Sequence, residues 1–155
     1  MGFYFTSSEE FQTKSAALRN ERGDPVEEFE IQFIEGEDID AALVAAVGLR
    51  QGDLAGFFEK TERWDETDKK IIAIAVGECG YQFSWAHGEP GEFDVDLYGV
   101  ETLRELAEIF VDEGLFGDIP DRIVSYLDHD AIARDLGMDY TETTIAGARL
   151  VYRCG

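Results

Sequence analysis

Carboxylates outnumber cations by 34 to 13 in this chain of 155 residues, giving a formal net charge of −21. A charge of that size makes the compact state repel itself, so it must be set against substantial apolar burial. Three states fit the number: a disordered acidic segment, a salt-adapted surface, or a surface resembling a nucleic acid. Composition removes the first. Hydrophobic residues make up 45 % of the chain and aromatics 12 %, including eleven Phe and two Trp. Acidic disordered segments lack that content, because they cannot bury enough surface to offset chain entropy. The acids are also interleaved with apolar residues rather than collected in a tail. The chain folds.

The length suits one domain or a few very small ones. No run of about 20 apolar residues is present, so no membrane span is expected. The N-terminus lacks a basic region followed by an apolar run, so no signal peptide is expected. Cys79 and Cys154 stand far apart and form no metal-spaced pair, which fits two buried, reduced thiols in a cytoplasmic protein. Like charge argues against nucleic acid or acidic membrane as partner. The natural partners are basic surfaces.

Apolar periodicity predicts an α+β fold, an elongated chain of three small units: α+β, helical, α+β. The first, residues 1–36, has a short strand at Phe3-Tyr4-Phe5. A helix follows, opened by Ser7 and Glu10 at capping-box spacing, with Phe11 and Leu18 inward. The alternating Phe29-Glu30-Ile31-Gln32-Phe33 predicts a half-buried strand. The second unit, 37–79, holds three helices: one capped by Asp38, running Ile39 to Val47 and ended by Gly48, a second over about Asp53 to Arg63, and a third from the Asp65 or Thr67 cap to Gly77. The third unit, 80–155, begins with strands at Tyr81 to Trp85 and Phe93 to Leu97 around the turn Gly88-Glu89-Pro90-Gly91. A helix over Val100 to Val111 follows, then a short one after Asp118 and Pro120, then one capped by Asp128 and ended by Gly137. Thr143-Thr144-Ile145, a turn at Gly147 and Leu150-Val151-Tyr152 close the chain.

Fifteen acids fall between residues 92 and 142 against Arg104, Arg122 and Arg134, a local balance of −12. Glu101, Glu105, Glu108 and Asp112 recur at spacings of 4, 3 and 4, which places them as one stripe on the outer face of the Val100–Val111 helix. Like charges at i,i+4 disfavour a helix by a few tenths of a kcal/mol, so stability alone does not select this stripe. A row of carboxylates suits imitation of a duplex, which carries one charge per ~1.7 Å of axis. A solvated or salt-adapted helix face accounts for the same pattern.

The run Leu106-Ala107-Glu108-Ile109-Phe110-Val111-Asp112-Glu113-Gly114-Leu115-Phe116-Gly117-Asp118-Ile119-Pro120 belongs with Tyr126-Leu127-Asp128 and Ala131-Ile132-Ala133-Arg134-Asp135-Leu136. Together they resemble the C-terminal part of ArdA-type antirestriction proteins. That family has an acidic helix ending in a glycine turn, an Ile/Val-Pro step, and a Tyr–aliphatic–Asp … Arg–Asp–Leu block. Phe5 to Phe11, Glu27 to Ile31 and Asp38 to Phe58 resemble its upstream parts. The resemblance covers most of the chain, strongly in the last third and weakly over 45–100. The chain departs from the family in beginning at Phe3 without a preceding strand, and in carrying His129 where a more aromatic or neutral residue is usual.

The resemblance implies an elongated, commonly dimeric DNA mimic, carried by mobile genetic elements. Such a protein occupies the DNA-binding groove of type I restriction–modification enzymes. It implies a non-enzyme with no catalytic residues and no cofactor, binding no nucleic acid itself. The phosphate-mimicking carboxylates it points to are Glu101, Glu105, Glu108, Asp112, Glu113, Asp118, Asp121, Asp128, Asp130 and Asp135. The alternative is an acidic salt-adapted interaction domain. Such a domain could bind calcium, because Asp94, Asp96, Gly99 and Glu105 fall at positions 1, 3, 6 and 12 of a calcium loop. Tyr98 at position 5 is a poor ligand. His87 and the His129-Asp130 pair fall short of an HD-type metal centre, which needs several His and Asp residues on packed helices, and His87 sits in a Gly/Pro-rich loop. Paired carboxylates say little about acid–base catalysis in so acidic a chain.

Overall fold

A computed structural model describes residues 2–155. The fold is mixed α+β, with seven α-helices and a three-stranded antiparallel sheet among the described residues. The chain divides into two compact units, one up to Glu92 and one from Phe93 onward. The expected segments 1–36 and 37–79 both fall inside the first.

In the first unit, α1 (Ser8–Ala17) starts at Ser7, whose side chain accepts from the Glu10 backbone N–H. The Glu10 carboxylate turns to Thr6 instead of completing the box, accepting from its N–H and hydroxyl at 3.0 Å each. Phe11 is buried, but Leu18 lies past the helix end as its extended C-cap. Helix α2 (Asp38–Val47) ends at Gly48, as its spacing predicts. Helix α3 (Leu54–Arg63) buries Leu54 and Phe57. Asp65 and Asp68 form a reciprocal capping box that opens α4 (Glu66–Gly77). Helices α2 and α4 pack together, with Lys69 Nζ buried 2.8 Å from Asp40 Oδ1.

Three expected strands are corrected. Phe3–Phe5, Phe29–Phe33 and Tyr81–Trp85 join no sheet, and among its described residues the first unit holds only an isolated bridge between Arg19 and Pro25. Their alternation is real: Phe29, Ile31 and Phe33 are half-buried and Glu30, Gln32 and Ile34 are exposed. What it reports is a buried face and not a ladder partner. The inward rings form a chain of contacts, with Phe3–Phe29 at 5.9 Å, Phe11–Phe29 at 5.5 Å and Phe5–Phe11 at 4.9 Å. Aromatic packing of this kind holds extended backbone without a ladder. The backbone groups find other partners. Phe29 N–H donates to Gln51 Oε1 at 2.6 Å, and Gln51 Nε2 donates to the Glu27 carbonyl at 3.1 Å.

Trp85 is buried against Phe57 and Trp64. Its indole N–H donates to the Gly48 carbonyl at 2.9 Å. A Cβ at Gly56 would collide with the Trp85 carbonyl oxygen, so only glycine allows this approach of α3 to the Trp85 backbone. The Gly88–Gly91 turn is tied back by Glu89. Its carboxylate accepts from Arg63 Nη2 at 2.6 Å, from Trp64 Nε1 at 3.1 Å and from the buried Lys60 at 3.3 Å. Those hydrogen bonds, Arg63 first, hold the Glu89 carboxyl at about 2, below its ordinary 4.5.

The second unit places β1 (Val95–Tyr98), α5 (Leu103–Asp112), α6 (Asp121–Val124), α7 (His129–Leu136), β2 (Thr141–Ile145) and β3 (Ala148–Cys154) in that order. Strand β3 is central, pairing Asp96 with Arg153 on one side and Thr143 with Leu150 on the other. Ala146 and Gly147 both take positive φ, 52° and 80°, as a two-residue hairpin turn of the primed type requires. Leu106, Phe110 and Val151 form the buried centre, with Tyr98, Leu103, Leu136 and Tyr140 packed around it.

Neither cysteine is a free thiol, Cys79 is half-buried and Cys154 is exposed. This corrects the expectation of two buried reduced thiols. Cys79 follows the C-cap of α4, and Cys154 is the last residue of β3.

Candidate functional site

The ten singled-out carboxylates all belong to the second unit, and nine are exposed, Glu108 being half-buried. Helix α5 begins later than its apolar pattern predicts. Thr102 caps it, its hydroxyl accepting from Glu105 N–H at 3.2 Å. Glu101 therefore precedes the helix, and its backbone N–H donates to Glu105 Oε2 at 3.0 Å. The expected four-residue stripe is corrected to Glu105, Glu108 and Asp112 on the helix, with Glu101 ahead of its N-cap and the Glu105 carboxylate reaching back to the Glu101 backbone.

Glu105 lies at the helix N-terminus, where the peptide dipoles favour a negative charge. Asp112 and Glu113 lie at the opposite end. Asp112 is the last helical residue, Glu113 is the C-cap, and no basic residue occupies the last turn. Charge and dipole oppose each other there, so these two acids are placed against helix stability.

Helix α7 packs on α5 and brings a second set of acids beside the first. Asp128 is its N-cap and accepts from Ala131 N–H at 3.0 Å, so this carboxylate has a structural role. Arg104 Nη1 donates to Asp130 Oδ1 at 2.6 Å, while its Nε donates to Glu108 Oε1 at 3.3 Å. Asp130 and then Glu108 raise the Arg104 guanidinium above its ordinary value. One arginine thus joins α5 to α7 and neutralises part of the row. The Arg104–Glu108 half has helical i,i+4 spacing and is visible in the sequence; the Asp130 half depends on tertiary packing.

The remaining members are Asp118 in the loop after α5, Asp121 opening α6 and Asp135 near the end of α7. Apart from Glu108 and Asp130, the ten make no ion pair among the described residues.

Two features lie outside the expected site. The first unit is as acidic as the second, with 20 carboxylates against eight cations up to Glu92 and 14 against five beyond it. Counting along the whole chain, instead of its last third, would have shown this. The second is Phe116 and Tyr126, whose apolar character fits core packing or, as the alternative, dimer contacts. They are 52 % and 84 % exposed.

The calcium-loop pattern is overturned. Residues 95–98 form β1, preceded by a 3-10 turn at Pro90–Glu92, so no helix enters the loop. Asp96 is engaged instead by Arg153, whose Nη2 donates to Oδ2 at 2.6 Å. No group of three or more potential metal-binding side chains gathers among the described residues. His87 lies in the exposed turn after Trp85, and His129 opens α7. No described helix is long and apolar enough to cross a membrane.

Comparison with known protein families, curated proteins and solved structures finds no match.

Proposed function

We propose that this protein is a non-enzymatic DNA mimic of the ArdA type, occupying the DNA-binding groove of a type I restriction–modification enzyme in competition with duplex DNA. The observation that carries the reading is the placement of Asp112 and Glu113. Both are exposed, both lack an ion pair among the described residues, and both stand at the end of α5 where the helix dipole disfavours them. A surface selected for stability alone would place cations there. Carboxylates at that position suit a partner that supplies the Lys and Arg side chains itself.

Binding by such a surface follows the physics of DNA, with counterions released as the basic groove is filled. The ten singled-out carboxylates, of the 14 in the second unit, are the proposed contacts. Each contributes little alone, since the attraction is summed over many of them. The reading includes a homodimer, the cytoplasm as compartment, carriage on a mobile element, and no cofactor. The lack of a free cysteine stands against the cytoplasm, where disulfides are rare. Alkylation of protein from freshly lysed cells labels both cysteines if the compartment is the cytoplasm; unlabelled protein, as paired cysteines require, removes that compartment.

The test is competition for DNA. A purified type I methyltransferase core, bound to a fluorescent duplex at about 50 mM salt, is expected to release it on titration with this protein. Duplex binding left unchanged at that salt sinks the reading.

The even spread of charge between the two units favours a second reading, an acidic interaction domain adapted to high salt. Such a protein has no effect on the methyltransferase and gains most of its stability in molar salt.

A further inference from the structure

We propose that a groove on the second unit seats one aromatic or leucyl side chain of a basic polypeptide segment, with the rim carboxylates holding the Lys and Arg residues that flank it. The groove has a volume of about 360 Å³ and is walled by Phe116, Ile119, Leu127 and Ile132, with Asp135 and Asp139 at its edge. Helix α5 ends in a Schellman arrangement, Leu115 N–H donating to the Phe110 carbonyl at 2.9 Å and Gly114 N–H to the Val111 carbonyl at 3.1 Å. Gly114 and Gly117 take φ of 76° and 91°, conformations that cost other residues energy. This loop delivers Phe116, whose ring meets the buried Phe110 edge-on at 6.5 Å. The wall is therefore anchored to the core and formed before any partner arrives.

Its lining residues all belong to the second unit. Seven large hydrophobic residues are exposed among those described, and five of them lie between residues 115 and 138, in the segments that build or border the groove. Clustered apolar exposure rimmed by charge marks an interaction site. The rim decides the occupant. Asp135 and Asp139 are exposed and make no ion pair among the described residues. A second copy would bring the same carboxylates against them. A basic segment brings the opposite charge, and its apolar side chain fills a cavity that a phosphate backbone cannot imitate. Recognition then has one part that salt weakens and another that it does not.

The test uses two blocked peptides of equal charge, Lys-Lys-Phe-Lys-Lys and Lys-Lys-Ala-Lys-Lys, titrated by calorimetry into the full chain. The phenylalanine peptide is expected to bind on the order of tenfold tighter, as burial of one aromatic side chain allows. That ratio is expected to survive 0.5 M NaCl, which screens exposed charges. Phe116→Ala, at a half-exposed position, is expected to abolish the ratio while the chain stays folded by circular dichroism and keeps the alanine peptide's affinity unchanged. D135N with D139N is expected to weaken both peptides alike at low salt. Equal affinities of the two peptides for the unaltered chain overturn the proposal, leaving an acidic surface alone. So does a fall in sedimentation mass on Phe116→Ala, which assigns the groove to a second copy. No restriction enzyme enters the measurement, so failure here and failure of DNA mimicry are separate results.

Discussion

Glu89 shows how one carboxylate in a chain crowded with them acquires a specific role. It receives donors from Lys60, Arg63 and Trp64 on or beside α3, tying the Gly88–Gly91 turn to that helix. Its folded-state value of about 2, against an ordinary 4.5, fixes the sign of the pH effect. The ionised form is favoured by folding, so the contribution is fully present above about 4.5 and is lost as pH falls toward 2. Urea unfolding of the protein and of Glu89→Gln is expected to show a stability gap that is constant above pH 5 and closes below pH 4. A gap independent of pH would remove Glu89 from this role. Its sequence setting, Gly-Glu-Pro-Gly, marks a turn and nothing more. The donors come from residues 25 to 29 positions earlier, and local spacing carries no trace of them.

At the scale of elements, helices were legible and isolated strands were not. Helix α7 runs between the residues that capping chemistry picks out, Asp128 and Gly137, and α2 ends at Gly48 as expected. The Asp38 cap is corrected: Asp38 is the first helical residue, behind Glu37, whose side chain makes no cap hydrogen bond. Caps are local, so the sequence contains them. A strand also needs a partner to pair with, and the alternation at Phe29–Phe33 contains no partner. Helix α5 joins the two lessons. Its apolar face, Leu106, Ala107 and Phe110, is where the 3.6 period puts it, but Thr102 begins the helix after Glu101 and shortens the acidic stripe. For its C-terminal acids the expectation is a trade-off. D112N and E113Q should each stabilise the protein by roughly 0.3–1 kcal/mol in urea unfolding, because each removes a charge opposed to the dipole. The same changes should weaken competition with duplex DNA. Stabilisation without any loss of competition would show that these acids serve no partner.

At the scale of the whole molecule, one cause should act in opposite directions on folding and on binding. A net −21 carried evenly by both units repels itself in the folded state, and salt screens that repulsion over about 8 Å at 0.15 M and 3 Å at 1 M. The melting temperature is expected to rise steadily from 0.05 to 1 M NaCl. Affinity for a methyltransferase core should fall over the same range, as for DNA itself. If both quantities rise together, the acids serve salt adaptation and not mimicry. If neither moves, the charge is neutralised by contacts other than the ion pairs described.

The sequence by itself determined that the chain folds, that it mixes helix with strand, where most helices begin and end, and that its surface is acidic. These follow from composition, capping and periodicity, which act over a few residues. Only the tertiary structure decided that three alternating segments stay outside any sheet, that Arg104 joins two of the singled-out carboxylates, that Asp96 meets Arg153, and that Phe116 stands in the wall of an open groove. Each of these depends on which residue lies across from which, over separations of tens of positions. Charge interleaved evenly along a chain specifies a sign for the surface. The packing of α7 against α5 decides which of those charges are left for a partner.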